Sequence, residues 1–266
     1  MGAGVAASVP DAAYQAVGAE ITDAAGAYAA DIVLKVARPT ADETKLLRKG
    51  AMLAAILAPY ADKAAVAQYA TAGVNSFAME FMPRITRAQS MDVPSSQANL
   101  AGYRAVVEGA TSYDKGFPMM MTAAGTVPAA NAFIMGAGVA GLQAIATARR
   151  LGGRVSATDV RPAAKEEIKS LGASFVGYED EESKAAQTAG GYAKQLSAAF
   201  YAKQAEVVAA HIAKQDIVIT TALIPGRPAP RLVSDAQIAS MKPGSVIFDL
   251  AVAQGGNVEG SKADEI

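Results

Sequence analysis

The order of residues 132–159 constrains this chain more than any other feature. A short apolar run, AFIM (132–135), enters GAGVAG (136–141), and an Ala-rich stretch continues to about Leu151. A second run, RVSAT (154–158), then ends at Asp159. Four apolar residues closed by glycine read as a buried strand, and the Ala-rich stretch reads as the helix that carries the chain back. A strand, a crossover helix and a second strand in one sheet form a right-handed parallel unit.

The glycines carry chemistry as well as geometry. Gly136 permits the tight turn, Gly138 lets the backbone approach a pyrophosphate, and Gly141 lets helix and strand close on each other. Free amides at the helix N-terminus hold the anion. GxGxxG alone is a weak signal in an Ala- and Gly-rich chain, but here a strand precedes it, a helix follows, and an acid ends the next strand. Asp159, 18 positions after Gly141, is placed to accept hydrogen bonds from ribose hydroxyls. A carboxylate there repels a 2′-phosphate, so the pattern favours NAD(H) over NADP(H). Arg161 could accommodate a phosphate and works against that preference.

The rest of the chain alternates in the same way, as an α/β protein does. Strands are expected at 31–36, 50–57, 74–78, 174–176, 216–221 and 245–250. Helices are expected at 61–70, 95–113, 162–171 and 198–214, with a short one from Ser234. Ser95 or Ser96 reads as the N-cap of the 95–113 helix, with Leu100, Tyr103, Val106 and Val107 on its apolar side. The chain thus divides into an incomplete N-terminal α/β domain, 1–94, and a doubly wound dinucleotide-binding domain, 95–266. No internal repeat is visible.

Composition removes several function classes. The chain has no Cys, which excludes disulfides and thiolate chemistry, and its single histidine, His211, rules out a histidine-rich zinc site. His211 is expected on a helix, half-buried or exposed, without a catalytic role, and no metal is expected. A net charge of −1 gives no field for nucleic acid. Residues 117–148 carry no charge and are long enough to span a membrane. Two prolines and four glycines interrupt them, so they read as loop, strand, glycine turn and buried helix. Met119, Met120 and Met121 within them read as core.

A second informative segment is PRITRAQSMDVPSSQ (83–97), a charged loop that composition alone would leave as solvated surface. Taken with GYRAVVEGA, FPMMMTAAGTVPAA, ATDVR, TAGGYAK, ITTALIPGRPAP and MKPGSVIFDLA, it resembles the NAD(H)-binding domain I of proton-translocating transhydrogenases, relatives of alanine dehydrogenase. The resemblance runs over nearly the whole chain. It implies a loop beside the nicotinamide, with Arg84, Gln89 and Asp92 as its functional residues and Ile85, Thr86 and Ser95 beside them. Gln89 would bridge to the partner nucleotide, while Arg84 supplies a charge that Asp92 orients. It also implies a mobile loop with Tyr192 at its tip and Gly190 and Gly191 as hinges, and nucleotide contacts at Val139, Val160, Gln204 and Leu223.

By the same resemblance, hydride passes directly between NADH and NADP⁺ and no residue acts as acid or base. NADP(H) would lie on a partner component, and a membrane proton channel on another. The chain is expected to form a homodimer without a span of its own, peripheral to the inner membrane on its cytoplasmic side (matrix side in a eukaryote). Against that family the chain is expected to lack a strand and helix in front and a longer C-terminal piece behind. Alanine dehydrogenase is the rival enzyme reading and a non-catalytic NAD-binding module the other. Lys35 matches the dehydrogenase lysine, but Ile56 and Ala253 stand where its histidine and aspartate would fall.

Overall fold

Three runs of strand formers in residues 32–78, each followed by a turn or a helix-forming stretch, build a three-stranded parallel sheet. The computed structural model describes residues 1–83, 85–184, 196–224 and 226–265, which fall into two compact units, Met1–Pro94 and Ser95–Ile266. Arg84, Gly190, Gly191 and Tyr192 therefore lie outside the described residues.

The first unit begins with two short helices, α1 (Asp11–Ala16) and α2 (Ala24–Tyr28). Then come β1 (Ile32–Ala37), α3 (Ala41–Leu46), β2 (Met52–Ile56), α4 (Lys63–Thr71) and β3 (Asn75–Ala78), with the strands in the order β1-β2-β3. Helix α3 was not expected. Thr40 and Glu43 close a reciprocal capping box that starts it, a T-x-x-E signal present in the sequence. One sheet face buries Val33, Leu53 and Ala55 with Tyr28, Leu47 and Tyr69. On the other, Ile32, Leu34 and Val36 are exposed, which is unusual for a parallel sheet. Two 3₁₀ turns, Met79–Phe81 and Thr86–Met91, lead out of the unit. The Glu80 carboxylate accepts from the amides of Leu57 and Ala58 and so fastens the first of these turns to the carboxyl end of β2.

The second unit is organised by α5 (Val93–Ser112), β6 (Asn131–Met135), α6 (Val139–Arg150), β7 (Arg154–Thr158), α7 (Pro162–Ser170) and β8 (Ser174–Phe175). It continues with α8 (Glu181–Lys184), α9 (Ala198–Ile212), β9 (Ile217–Thr220), α10 (Asp235–Ala239) and β10 (Val246–Asp249). A hairpin, β4 (Met120–Thr122) and β5 (Gly125–Val127), precedes β6. The sheet order is β10-β9-β6-β7-β8, all parallel. Alternate residues of β6 face opposite layers. Ala132 and Ile134 pack with α5, α6 and α7 residues such as Val106, Ile145 and Ile168, whereas Phe133 and Met135 pack with Val208 and Ile212 of α9. The sheet is doubly wound, and the expected α/β class with parallel sheets is the one adopted.

Three local expectations are corrected. Helix α5 starts at Val93 rather than at a Ser95 or Ser96 cap, because Pro94 fits the first turn, where no amide donor is needed. Its buried residues are Gly102, Ala105, Val106 and Gly109, while Leu100 and Tyr103 are exposed. The reason is close packing: a Cβ on Gly102 would sit 2.1 Å from the Ala140 carbonyl oxygen of α6. Met119, Met120 and Met121, read as core, are exposed at the β4–β5 hairpin.

Candidate functional site

Strand order reverses between β6 and β9, and in open parallel sheets ligands bind outside the carboxyl ends of the strands at such a point. The chain leaves β6 there through Gly136, at φ +106°, where side chains are strained. A Cβ at Gly136 would also lie 2.6 Å from Thr221 Oγ1. Gly141 is fixed by packing, since its Cβ would meet the Gly136 carbonyl oxygen at 1.8 Å.

Gly138 differs from both. Its backbone, φ −73° and ψ −168°, suits any residue, and a Cβ added there meets nothing within 4 Å. Among the described residues no group requires glycine at 138, yet it caps α6 without any side-chain hydrogen bond. The open space above Gly138, facing the N-terminus of a 12-residue helix, is the cradle that a pyrophosphate needs. The residues present fit a dinucleotide.

Beside the turn, Asp159 ends β7 and is almost fully engaged. Its Oδ2 accepts from the Ala137 amide at 2.8 Å and from Arg161 Nη2 at 3.0 Å. Its Oδ1 accepts from the Arg161 amide at 2.8 Å and from Nε at 3.0 Å. Arg161 Nη2 also donates to the Ala137 carbonyl at 2.9 Å. Burial opposes the guanidinium charge, but the hydrogen bonds and charge of Asp159, with Glu167, outweigh it and push the Arg161 pKa up. The sequence pattern treated Asp159 and Arg161 as independent groups aimed at a ligand. In the structure each is the other's partner.

The other expected contacts are placed as follows. Val139, half-exposed, opens α6 next to Gly138. Gln204 of α9 ties the ends of β7 and β8 together, donating to Thr158 Oγ1 at 2.9 Å and accepting from the Tyr178 amide at 2.7 Å. Val160 packs on Leu196 and Phe200. Leu223 is exposed, two residues after Thr221, whose amide and hydroxyl donate to the carbonyls of Met135 and Gly136 at 2.9 and 3.1 Å. In the first unit Ile85 caps the 3₁₀ turn at 86–91, Ala88 is its buried residue, and Thr86 and Gln89 are exposed. Asp92 is half-buried, as is Ser95 in the first turn of α5.

Sequence reasoning missed a polar cluster at the carboxyl ends of β9 and β10, built on Asp249 and Asn257. Asp249 accepts from Thr220 Oγ1 at 2.9 Å and from the Asn257 amide at 2.8 Å. Asn257 had no legible signal beyond its place in a glycine turn. His211 is half-buried, and its Nε2 lies 2.7 Å from Ser156 Oγ and 3.0 Å from Gln215 Nε2. Burial, then Lys214, pushes its pKa down. Among the described residues no cluster of His, Asp and Glu could hold a metal ion, and no helix is long and apolar enough to cross a membrane.

Fold and glycine turn together define a doubly wound dinucleotide-binding domain. Residues 105–266 match the family described as alanine dehydrogenase/PNT, C-terminal domain, and residues 1–101 match alanine dehydrogenase/PNT, N-terminal domain. The chain belongs to the alanine dehydrogenase/PNT family. It is 53% identical to an NAD(P) transhydrogenase alpha subunit of Rhodospirillum rubrum, over 100% of this chain and 71% of that protein. A transhydrogenase crystal structure from Sinorhizobium meliloti superposes with a TM-score of 0.89 at 60% identity, covering 100% of this chain and 72% of that one. Alanine dehydrogenase of Mycobacterium tuberculosis is 31% identical over 98% of this chain and 65% of that enzyme.

Proposed function

We propose that this chain is the NAD(H)-binding component of a proton-translocating transhydrogenase. The observation that carries the reading is the open cradle over Gly138 at the start of α6, in a chain 53% identical to a transhydrogenase alpha subunit. The amides of α6 receive the pyrophosphate, Asp159 receives the adenosine ribose, and Leu223 and Val139 supply apolar contact. When bound, NAD(H) supplies or accepts the hydride exchanged with NADP(H) on a partner component. Gln89, with Arg84 and Asp92, positions the nicotinamide end, and no side chain transfers a proton. Gly191 and Tyr192, which the resemblance counts among the nucleotide contacts, lie outside the described residues.

Alanine dehydrogenase chemistry needs a proton-transfer group. Ile56, the last residue of β2, and Ala253, just after β10, offer none. The remaining partners follow from the same reading: a second copy of this chain and a membrane proton-channel component, with the chain peripheral on the cytoplasmic side of the inner membrane. Single-turnover mixing of the NADH-loaded chain with an NADP⁺-loaded partner component tests this. Direct transfer between the two nucleotides supports it, and the absence of transfer with both nucleotides bound contradicts it.

A further inference from the structure

We propose that Asn257 is a positioning residue for the nucleotide site. In this proposal its buried side chain fixes the path of the chain leaving β9, so that Leu223 is held as one wall of the site beside the glycine turn. The proposal rests on the NAD(H) reading above.

Asn257 lies eight positions past the end of β10, outside any regular element, and is 0% exposed. All of its polar groups are used. Its Oδ1 accepts from the Ala222 amide at 2.9 Å, and its Nδ2 donates to the carbonyls of Ala222 and Pro230, both at 2.8 Å. Its own carbonyl accepts from Leu232 and Val233 at 2.7 and 3.1 Å, and its amide donates to Asp249 Oδ2 at 2.8 Å. A buried carboxamide is costly unless satisfied in this way.

None of these bonds is needed to build the sheet. The β9–β10 ladder is complete in its own register, from Ile217 with Val246 to Thr220 with Asp249. What Asn257 holds is irregular chain. It grips Ala222 through both N–H and C=O, as a neighbouring strand would, and the same Nδ2 reaches Pro230. One side chain therefore closes the two ends of the excursion between Ala222 and Pro230.

The gripped peptide is one residue from the site. Thr221 bonds to the Met135 and Gly136 carbonyls, and a Cβ on Gly136 would lie 3.3 Å from the Ala222 amide nitrogen. Leu223 and Ile224 follow at once, 44% and 42% exposed. Two apolar side chains held in solvent at the carboxyl ends of the central strands suit the face of a planar ring. Asp249 completes the support, because its Oδ1 accepts from Thr220 Oγ1 and the Ala251 amide, both at 2.9 Å, while its Oδ2 orients Asn257.

The test is Asn257→Asp, which keeps shape and the Oδ1 acceptor but removes both donations and sets a charge against two carbonyls. With the thermal midpoint showing a folded chain, its Kd for NADH should rise about tenfold or more, the equivalent of one or two lost hydrogen bonds. Ser234→Ala, which removes the cap of α10, is the control for a merely structural effect: it should lower the midpoint and leave the Kd unchanged. Folded Asn257→Asp with the unchanged chain's affinity would overturn the proposal. Should that variant fail to fold, hydrogen exchange on the unchanged chain decides: NADH should slow the amides of residues 222–224, and no slowing there overturns it. An unchanged chain that binds no NADH overturns the underlying reading as well, which separates the two failures.

Discussion

Asp159 and Arg161 form a closed pair at the end of β7, Nε to Oδ1 and Nη2 to Oδ2 both at 3.0 Å, with side chains only 10% and 19% exposed. With the Ala137 and Arg161 amides added, the carboxylate accepts four hydrogen bonds, about as many as its lone pairs allow. A ribose hydroxyl can bind Asp159 only by displacing one of these, and the one free to move is the Arg161 side chain.

On the proposed reading, the pair sets the nucleotide preference jointly. Asp159→Ala should narrow the preference for NADH over NADPH, by removing the repulsion and releasing Arg161 toward a 2′-phosphate. Arg161→Ala should widen it, by leaving the carboxylate uncompensated, and should cost about 1–3 kcal/mol of stability for the lost partner. The ratio of the two dissociation constants checks both. A ratio unmoved by Arg161→Ala would mean that the guanidinium takes no part in discrimination.

The glycines at 138 and 141 should separate binding from folding. Gly141→Ala places a Cβ 1.8 Å from the Gly136 oxygen and should destabilise the chain by about 1–3 kcal/mol or more. Gly138→Ala meets nothing within 4 Å and should change stability by about 1 kcal/mol or less, yet weaken NADH binding strongly. Thermal midpoints and NADH titration on the two variants test this. Gly138→Ala binding NADH with full affinity would show that no cradle exists at this turn.

What could be read in the sequence was whatever local pattern dictates. Strand β7 is legible at 154–158, because a short run with β-branched Val155 and Thr158 is closed on one side by Gly152 and Gly153 and on the other by Asp159. The β4–β5 hairpin is not, because its strands, MMT and GTV, carry no alternation to distinguish them from loop. The buried face of α5 was misjudged because hydrophobicity favours Leu100 and Tyr103, whereas the approach of α6 selects Gly102. The bond from the Ala137 amide to Asp159, 22 positions apart, and the grip of Asn257 on Ala222, 35 positions apart, depend on how strands lie side by side. No residue pattern along the chain announces them.

Acid should weaken the second unit through His211. Burial and then Lys214 disfavour the charged ring, and a proton on Nε2 would face the Gln215 amide donor at 3.0 Å, with the Ser156 hydroxyl at 2.7 Å the group that can accept it. The folded pKa lies below the ordinary 6.5. The contribution is thus fully present above about pH 6.5 and is lost as pH falls from there toward the lowered folded value, because the unfolded chain binds the proton first. His211→Gln should flatten the fall in unfolding midpoint between about pH 7 and 5. An equally steep fall in the variant would assign it to other groups.

Gln89→Asn should slow hydride transfer far more than it weakens NADH binding. Gln89 is exposed on the 3₁₀ turn, and shortening it leaves the glycine turn and Asp159 untouched. A misplacement of about 1 Å between the two nicotinamides can cost on the order of a hundredfold in rate. Single-turnover transfer with the partner component, beside equilibrium NADH titration, measures both. Equal losses would make the loop a binding element only.

Equilibrium titration of the purified chain with NADH and with NADPH tests the nucleotide assignment most directly. NADH should bind saturably and NADPH at least about tenfold more weakly, because on the proposed reading the Asp159 carboxylate repels a 2′-phosphate. Equal affinity for the two nucleotides, or no binding of NADH, would contradict it.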